Sequence, residues 1–391
     1  MSKGIDMKQR KTKRSLGPIA ALGVASLLLV SCGGGTDDAA GPATPIEDPA
    51  EGVAEALRRY EANKAPISFT YPGDAFEASA SAQGKTVAII SWDDRIPILD
   101  QWGSTIQAGF EEYGVRVIRS SADFDIEQIS SLFSQAVAAG VDLIVTNSIP
   151  GVVVPFDITG DTPVMTLNQT AKPGVAPAEG VITDVSFDYT IPARLMAQWY
   201  IVNSNGGADG DAPVFASEGQ ASSPIMVEEI QAEIAELCPG CNVTYGDAQL
   251  NSWFDGTLAN ETRNALNASM SLKFLLPIYD GMTLAGTDPG VSDAASNATQ
   301  SSFNATPDVI RGIGTSSVSM DVGCPNDWFS YAVVDASLRI FAGAPLIDNY
   351  GITCRVFDTE NISQINPATE NSVNWYGINF LDEFRKFWGA A

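Results

Sequence analysis

The chain has 391 residues, with 22 Lys or Arg against 47 Asp or Glu, a formal net charge of −25, and no histidine. So acidic a surface does not bind nucleic acid or anionic lipid through charge. The missing imidazole removes the usual general base and the commonest metal ligand, which excludes Ser-His-Asp hydrolysis, Cys-His proteolysis and His-ligated zinc.

Lys8, Arg10, Lys11, Lys13 and Arg14 form a basic start. An apolar stretch over 16–30 follows, too short for a comfortable membrane span of about 20 residues. It ends in Leu29-Val30-Ser31-Cys32. Small residues before a cut are the signal-peptidase pattern, and the Cys directly after them resembles a lipobox. The expectation is a lipoprotein signal peptide over 1–31, with a lipid on Cys32 holding the protein to the outer face of the cell membrane. An uncleaved anchor helix is the alternative, and it too places the rest outside the cytoplasm. Cleavage before Cys32 removes six basic residues and one acid, so the net charge moves from −25 to −30. Gly33-Gly34-Gly35 opens a polar run with no apolar period, read as a tether to about residue 50. Residues 51–63 carry Val53, Ala56, Leu57 and Tyr60 at helical spacing, so 32–83 reads as tether and N-terminal helix. No later stretch is long and apolar enough to span a membrane.

Roughly 340 residues then remain, enough for two cores, since single cores stop growing near ~250–300 residues. Four cysteines remain besides Cys32, and exported chains oxidise paired cysteines. Cys238-Pro-Gly-Cys241 could close locally, leaving Cys324 with Cys354, although three connectivities are open. A four-thiolate zinc site is the rival reading. With a single CxxC pair, no metal and no cofactor is expected.

The body starts at 85–91, a short continuous apolar run of the kind found in strands buried on both faces. A helix over 99–113, a strand over 115–118, a helix over 126–139 and strands over 141–147, 162–167 and 180–183 follow. The rhythm breaks near Phe187 and restarts: helix 191–203, strand 212–217, helix 225–237, strand 242–245, helix 255–268, strand 273–278. Residues 285–302 read as a loop or weak helix, 317–322 as a crossing strand, 327–341 as a helix, 353–357 as a strand and 380–388 as a terminal helix. Alternating strands and helices imply right-handed βαβ units and parallel sheets. The expected fold class is α/β: two Rossmann-like lobes with parallel sheets joined by a three-segment hinge near Asp188, Asp321 and Ile352. The first lobe takes 84–187 plus 325–349, and the second takes 188–324 plus 350–391.

Residues 84–365 resemble type I periplasmic binding proteins of the sugar class, the substrate receptors of ABC importers. The pieces come in that family's order. Residues 128–147 carry a helix and the strand "AGVDLIVTN". Pro163 to Gln169 resembles the strand whose end faces the ligand. Tyr279-Asp280-Gly281-Met282 resembles the "NDGMA" turn, and Asn304-Ala305-Thr306-Pro307 the "GFDGTP" turn, with Asn304 where the family usually has Asp. Asp321-Val322-Gly323 with Trp328, Asp335 and Arg339 resembles the late helix of an actinobacterial branch. The resemblance implies a binding protein rather than an enzyme.

Ligands of open α/β sheets sit at the carboxyl ends of the strands. A sugar needs amides and carboxylates for its hydroxyls and aromatic faces for its C–H surface. From the first lobe the candidates are Trp92, Asp93 and Asp94 after the first strand, Asn147, Asn168 and Gln169 at later strand ends, and Asp188 where the chain crosses. From the second lobe they are Ser222, Trp253, Tyr279, Asp280, Asn304 and Asp321, with Trp328 just beyond. The expected partners are a small sugar or polyol, an ABC permease and the membrane through the lipid, with no nucleic acid; the protein is expected to be a monomer. A sensor feeding a membrane kinase would use the same fold. A glycosidase using Asp93 and Asp94 is disfavoured, because neighbouring residues on one loop rarely face one site at the required separation.

Overall fold

The computed structural model describes residues 44–217, 219–286, 298–367 and 372–389. The expected signal peptide, Cys32 and most of the tether lie outside these residues.

Two sheets form the body. The first runs β2-β1-β3-β4-β5, with β1 Thr86–Ser91, β2 Arg116–Ser121, β3 Leu143–Asn147, β4 Val164–Leu167 and β5 Asp184–Val185. Every pair in it is parallel. All six residues of β1 are buried, because helices cover both faces of a parallel sheet. The second runs β11-β10-β9-β8-β6-β7, with β6 Ala212–Ser217, β7 Val243–Ala248, β8 Phe274–Pro277, β9 Thr299–Phe303, β10 Val318–Gly323 and β11 Arg355–Asp358. It is parallel except for β10 against β11. This is the type I periplasmic binding protein fold.

The helices used below are α1 Pro49–Glu61, α2 Pro97–Glu112, α3 Ile126–Ala138, α4 Thr190–Asn203, α5 Ser222–Leu237, α6 Thr257–Ala268, α7 Asp280–Gly286, α8 Pro307–Gly312, α9 Asn326–Ala342, α10 Ser372–Tyr376 and α11 Phe380–Arg385. Asp125 caps α3 by accepting from Glu127 and Gln128. Gly343, in the left-handed region at φ 64°, ends α9, the usual helix stop for a residue without a β-carbon.

Two elements differ from the sequence reading. Residues 299–303, read as loop or weak helix, form β9 inside the sheet. Its Gln300, Ser301 and Ser302 are polar yet fully buried, so hydrophobic patterning gave no strand signal there. Residues 180–183 are not a strand; the short β5 follows them.

The lobe boundaries also differ at both chain ends. The N-terminal segment is built into both lobes. Helix α1 lies on the second lobe, where Arg59 reaches Glu233 at 3.0 Å and Glu236 at 2.6 Å. A methyl group at Gly52 would collide with the Leu237 carbonyl oxygen, so only glycine lets the two helices approach this closely. The chain then pairs with β11 through Val356 N and Asn63 O at 2.8 Å and crosses to the first lobe. There Phe69 packs on Trp328 at 4.9 Å and Tyr71 stacks on Phe387 at 3.8 Å. The C-terminal tail makes the same passage. Trp375 and Tyr376 pack on Phe357 of the second lobe. Beyond them Trp388 meets Tyr113, and Arg385 pairs with Glu112, on the first lobe. Two crossings therefore join the three expected from the sequence, and residues 377–389 belong with the first lobe.

Both ends converge on one buried carboxylate. Asp335, on α9, accepts from Tyr71 Oη at 2.7 Å, Trp388 Nε1 at 2.7 Å, Tyr350 Oη at 2.8 Å and Arg339 Nε at 2.7 Å. Asp335 and Arg339 are 0% and 2% exposed. Removing one partner of such a pair strands a buried charge and costs about 3–5 kcal/mol. Asp335→Ala is expected to lose that much in a urea unfolding titration; a loss under about 1 kcal/mol would show that the network contributes little.

Candidate functional site

The switch point of each sheet, where strand order reverses, lies between β1 and β3 in the first lobe and between β6 and β8 in the second. The carboxyl ends of these strands face one another, and a cleft lies between them. Its enclosed volume is about 50 Å³, below the ~300 Å³ at which ligand pockets usually begin. The lobes therefore stand close together. At the mouth, the Arg95 guanidinium of the first lobe lies 5.3 Å from the ring centre of Phe254 of the second, with Phe124 alongside at 6.5 Å.

Half of the residues expected at the site line this cleft: Asn168, Gln169, Ser222, Trp253, Tyr279, Asp280 and Asn304. Asn168 follows β4 and sits at φ 57°; Asn304 follows β9 at φ 133°, and Ser148 follows β3 at φ 63°. Such backbone strain in residues other than glycine collects at ligand sites, where the surrounding fold holds it. Asn168 Oδ1 accepts from Phe187 N at 3.1 Å, which aims its amide, while its buried Nδ2 finds no partner among the described residues. Gln169 is fixed by donating to the Leu167 carbonyl at 3.0 Å. Across the cleft, Trp253 lies against Gly281, where a β-carbon would stand 2.7 Å from the ring. Its indole Nε1 is also buried without a partner among the described residues. The Ser222 hydroxyl lies 2.7 Å from that of Tyr279 and also bonds Tyr189.

Asp280 opens α7 and is 2% exposed. Its Oδ1 accepts from Ser302 Oγ, and its Oδ2 accepts from Thr306 N and Oγ1, each at 2.6 Å. Behind it, Asp321 accepts from Ala305 N at 3.3 Å, and its Oδ2 has no partner among the described residues.

The other expected residues are placed elsewhere. Trp92 packs edge-on against Phe124 at 5.4 Å. Asp93 is buried and paired with Arg95, and Asp94 takes Arg119 at 3.2 Å. Asn147 points beneath the cleft, donating to Ser91 Oγ at 3.0 Å and to the Leu99 carbonyl at 2.8 Å, and so anchors the start of α2. Asp188 accepts from Thr190 N and Oγ1 at the start of α4. Asp321 supports the turn carrying Asn304 from behind. Trp328 is core, 5.2 Å from Phe380. Each makes a hydrogen bond, ion pair or ring contact there, while Asp94 Oδ1, Asn147 Oδ1, Asp321 Oδ2 and Trp328 Nε1 find no partner among the described residues.

Sequence reasoning missed the wall made by Ile96, Pro97, Ile98, Leu99 and Trp102, together with Ser148, Tyr189, Gln220, Leu284 and Thr306. The signal was present for part of it: Ser148 follows a strand directly, and Pro97 sits at the first helical position after the β1 loop. A reading confined to polar residues passes over the apolar wall. Asn326 ties the halves together. It accepts from Trp102 Nε1 at 2.9 Å on the first lobe and donates to the Asn304 carbonyl at 3.0 Å on the second.

No protein-family model matches the chain, and no curated protein matches it by sequence. Solved structures do match in fold. A Caulobacter myo-inositol binding protein with bound myo-inositol superimposes at TM-score 0.61 and 16% identity, covering 71% of this chain and 94% of its own. An ABC transporter solute binding protein from Agrobacterium vitis with bound allitol gives 0.62 and 15%, covering 72% and 98%. One from Clostridium phytofermentans with bound β-D-glucose gives 0.60 and 15%, covering 71% and 95%.

Burial lifts Asp280 to about 7, against the pull of its three hydrogen bonds, and lifts Asp321 well above the usual carboxylate range, with the Asp280 charge adding to the effect. The folded protein therefore keeps protons that the unfolded chain releases near 3.8. Stability then falls as pH rises from about 4 to about 7, because the native state binds more protons over that window. Asp280→Asn, which cannot ionise, is expected to flatten this fall in melting temperature; identical slopes in variant and parent would contradict it.

Proposed function

We propose that this protein is an extracytoplasmic solute-binding protein that captures a small sugar or polyol between its lobes and delivers it to an ABC permease. The observation carrying the reading is the pair of buried donors, Asn168 Nδ2 and Trp253 Nε1, which line the cleft from opposite lobes with no acceptor among the described residues. Buried donors are nearly always paired. A ligand offering an oxygen to each satisfies both only when the lobes are together, so it favours the closed form through contacts that the open form lacks. The bound inositol, glucose and allitol of the structurally similar proteins support a hydroxylated ligand. The fold and its packed cleft support binding rather than catalysis.

The lipid on Cys32 and the tether fit the same role. A lipid at that position would confine a receptor near its permease. The structure brings the sulfurs of Cys238 and Cys241, and of Cys324 and Cys354, together. As disulfides, which an oxidising compartment favours, the second would tie the crossing after β10 to the one before β11.

A thermal-shift panel of hexoses, pentoses and polyols tests the reading, since any tight ligand stabilises the fold by mass action. Trp253→Phe keeps the ring and removes the N–H; Asn168→Asp keeps the shape and the acceptor to Phe187 and removes the donor. Each is expected to weaken the best ligand by about 1–3 kcal/mol, roughly 5- to 150-fold. Unchanged affinity in both variants, by calorimetry, would remove the reading's main support.

A further inference from the structure

The cleft does not end at its enclosed part. Pro97 of the first lobe and Thr306 of the second line it, and the same two residues line a groove between α2 and α8. The groove has a volume of about 570 Å³, against about 50 Å³ for the enclosed cleft. It alone falls within the ~300–1,000 Å³ of small-molecule sites.

Its two walls come from different lobes. On α2, Pro97, Gln101 and Thr105 recur every four residues, as do Asp100 and Ser104. Helical positions so spaced share a face, so one face of α2 leads from the cleft along the groove. Pro307, Asp308 and Arg311 of the second lobe form the other wall. The charges are answered within each wall: Asp100 takes Arg119 at 2.8 Å, and Asp308 takes Arg311. Gln101 and Thr105 differ. Both are half-buried, and neither makes a side-chain hydrogen bond among the described residues. Both also line a recess of about 140 Å³ that continues the groove toward Asn326 and Trp375. An amide and a hydroxyl offer donors and acceptors together, the chemistry that pairs with sugar hydroxyls.

We propose that the groove is a second subsite and that the ligand is an oligosaccharide: one unit between Asn168 and Trp253, and the next past Pro97 and Thr306 along the Gln101–Thr105 face of α2. The proposal rests on the sugar reading above and extends it. The outer unit touches α2 of one lobe and α8 of the other, so its contacts favour the closed form as those of the inner unit do. Hydroxyls of the outer unit meet polar side chains or water, so lengthening the ligand strands no buried group.

Calorimetry on the full chain with matched series tests this: glucose with maltose, cellobiose and maltotriose, mannose with mannobiose, galactose with lactose, and xylose with xylobiose. The expected result is that at least one oligosaccharide binds roughly tenfold or more tighter than its monosaccharide. Gln101→Ala removes the free amide, and Thr105→Trp fills the groove. Each is expected to narrow that gap several-fold by weakening the oligosaccharide, with the monosaccharide affinity and the ligand-free melting temperature unchanged. A monosaccharide that binds as tightly as every oligomer of its series, or a gap unchanged in both variants, would overturn the second subsite while leaving sugar capture intact. If nothing in the panel binds, the sugar reading itself fails and this inference with it.

Discussion

The buried carboxylate of Asp335 is the constraint on which the arrangement of the lobes rests. A charge out of water must be answered by donors, and here they come from four separated stretches of chain: Tyr71, Arg339, Tyr350 and Trp388. Satisfying one side chain thus fastens the N-terminal segment, the crossing after α9 and the C-terminal tail to a single helix. The same helix begins with Asn326, which holds Trp102 and the Asn304 carbonyl on the two sides of the cleft. Helix α9 is therefore the member through which the chain ends and the binding residues are positioned together.

That geometry bears on how the cleft works. The chain passes between lobes at the expected crossings, and again near residues 65–68 and 377–379 on the way to Phe69 and Phe380. Motion of one lobe against the other must bend these added passages or slide them along their contacts. The myo-inositol and allitol binding proteins similar in fold leave over a quarter of this chain uncovered, so they do not account for its whole length. Within the cleft, strained strand ends hold Ser148, Asn168 and Asn304 in place, so closure meets a site already shaped.

Much of this was legible in the sequence because parallel sheets announce themselves. The strands at 86–91 and 143–147 are continuous apolar runs, and the helices between them carry a clear apolar stripe. What was not legible has a common cause. Strand β9 is Thr-Gln-Ser-Ser-Phe; its Gln300 and Ser302 are buried with partners on neighbouring elements, Ser317 and Thr283, the latter at 2.7 Å, and no hydrophobic period reports such pairing. The site divided on the same line. Asn168, Trp253 and Asp280 follow from the strand-end rule. Asp93, Asn147 and Asp188 obey it equally well but are taken by Arg95, Ser91 and Thr190; Arg95 and Thr190 stand two residues along the chain, whereas Ser91 meets Asn147 only through the pairing of β1 with β3. The apolar wall at 96–99 was missed because a search for sugar contacts looks for polar groups.

The most direct test is a crystal structure of the protein saturated with its tightest ligand. The expected result is one ligand between the lobes, with oxygens within hydrogen-bond distance of both Asn168 Nδ2 and Trp253 Nε1. A ligand held by one lobe alone, or seated away from both donors, would contradict the account.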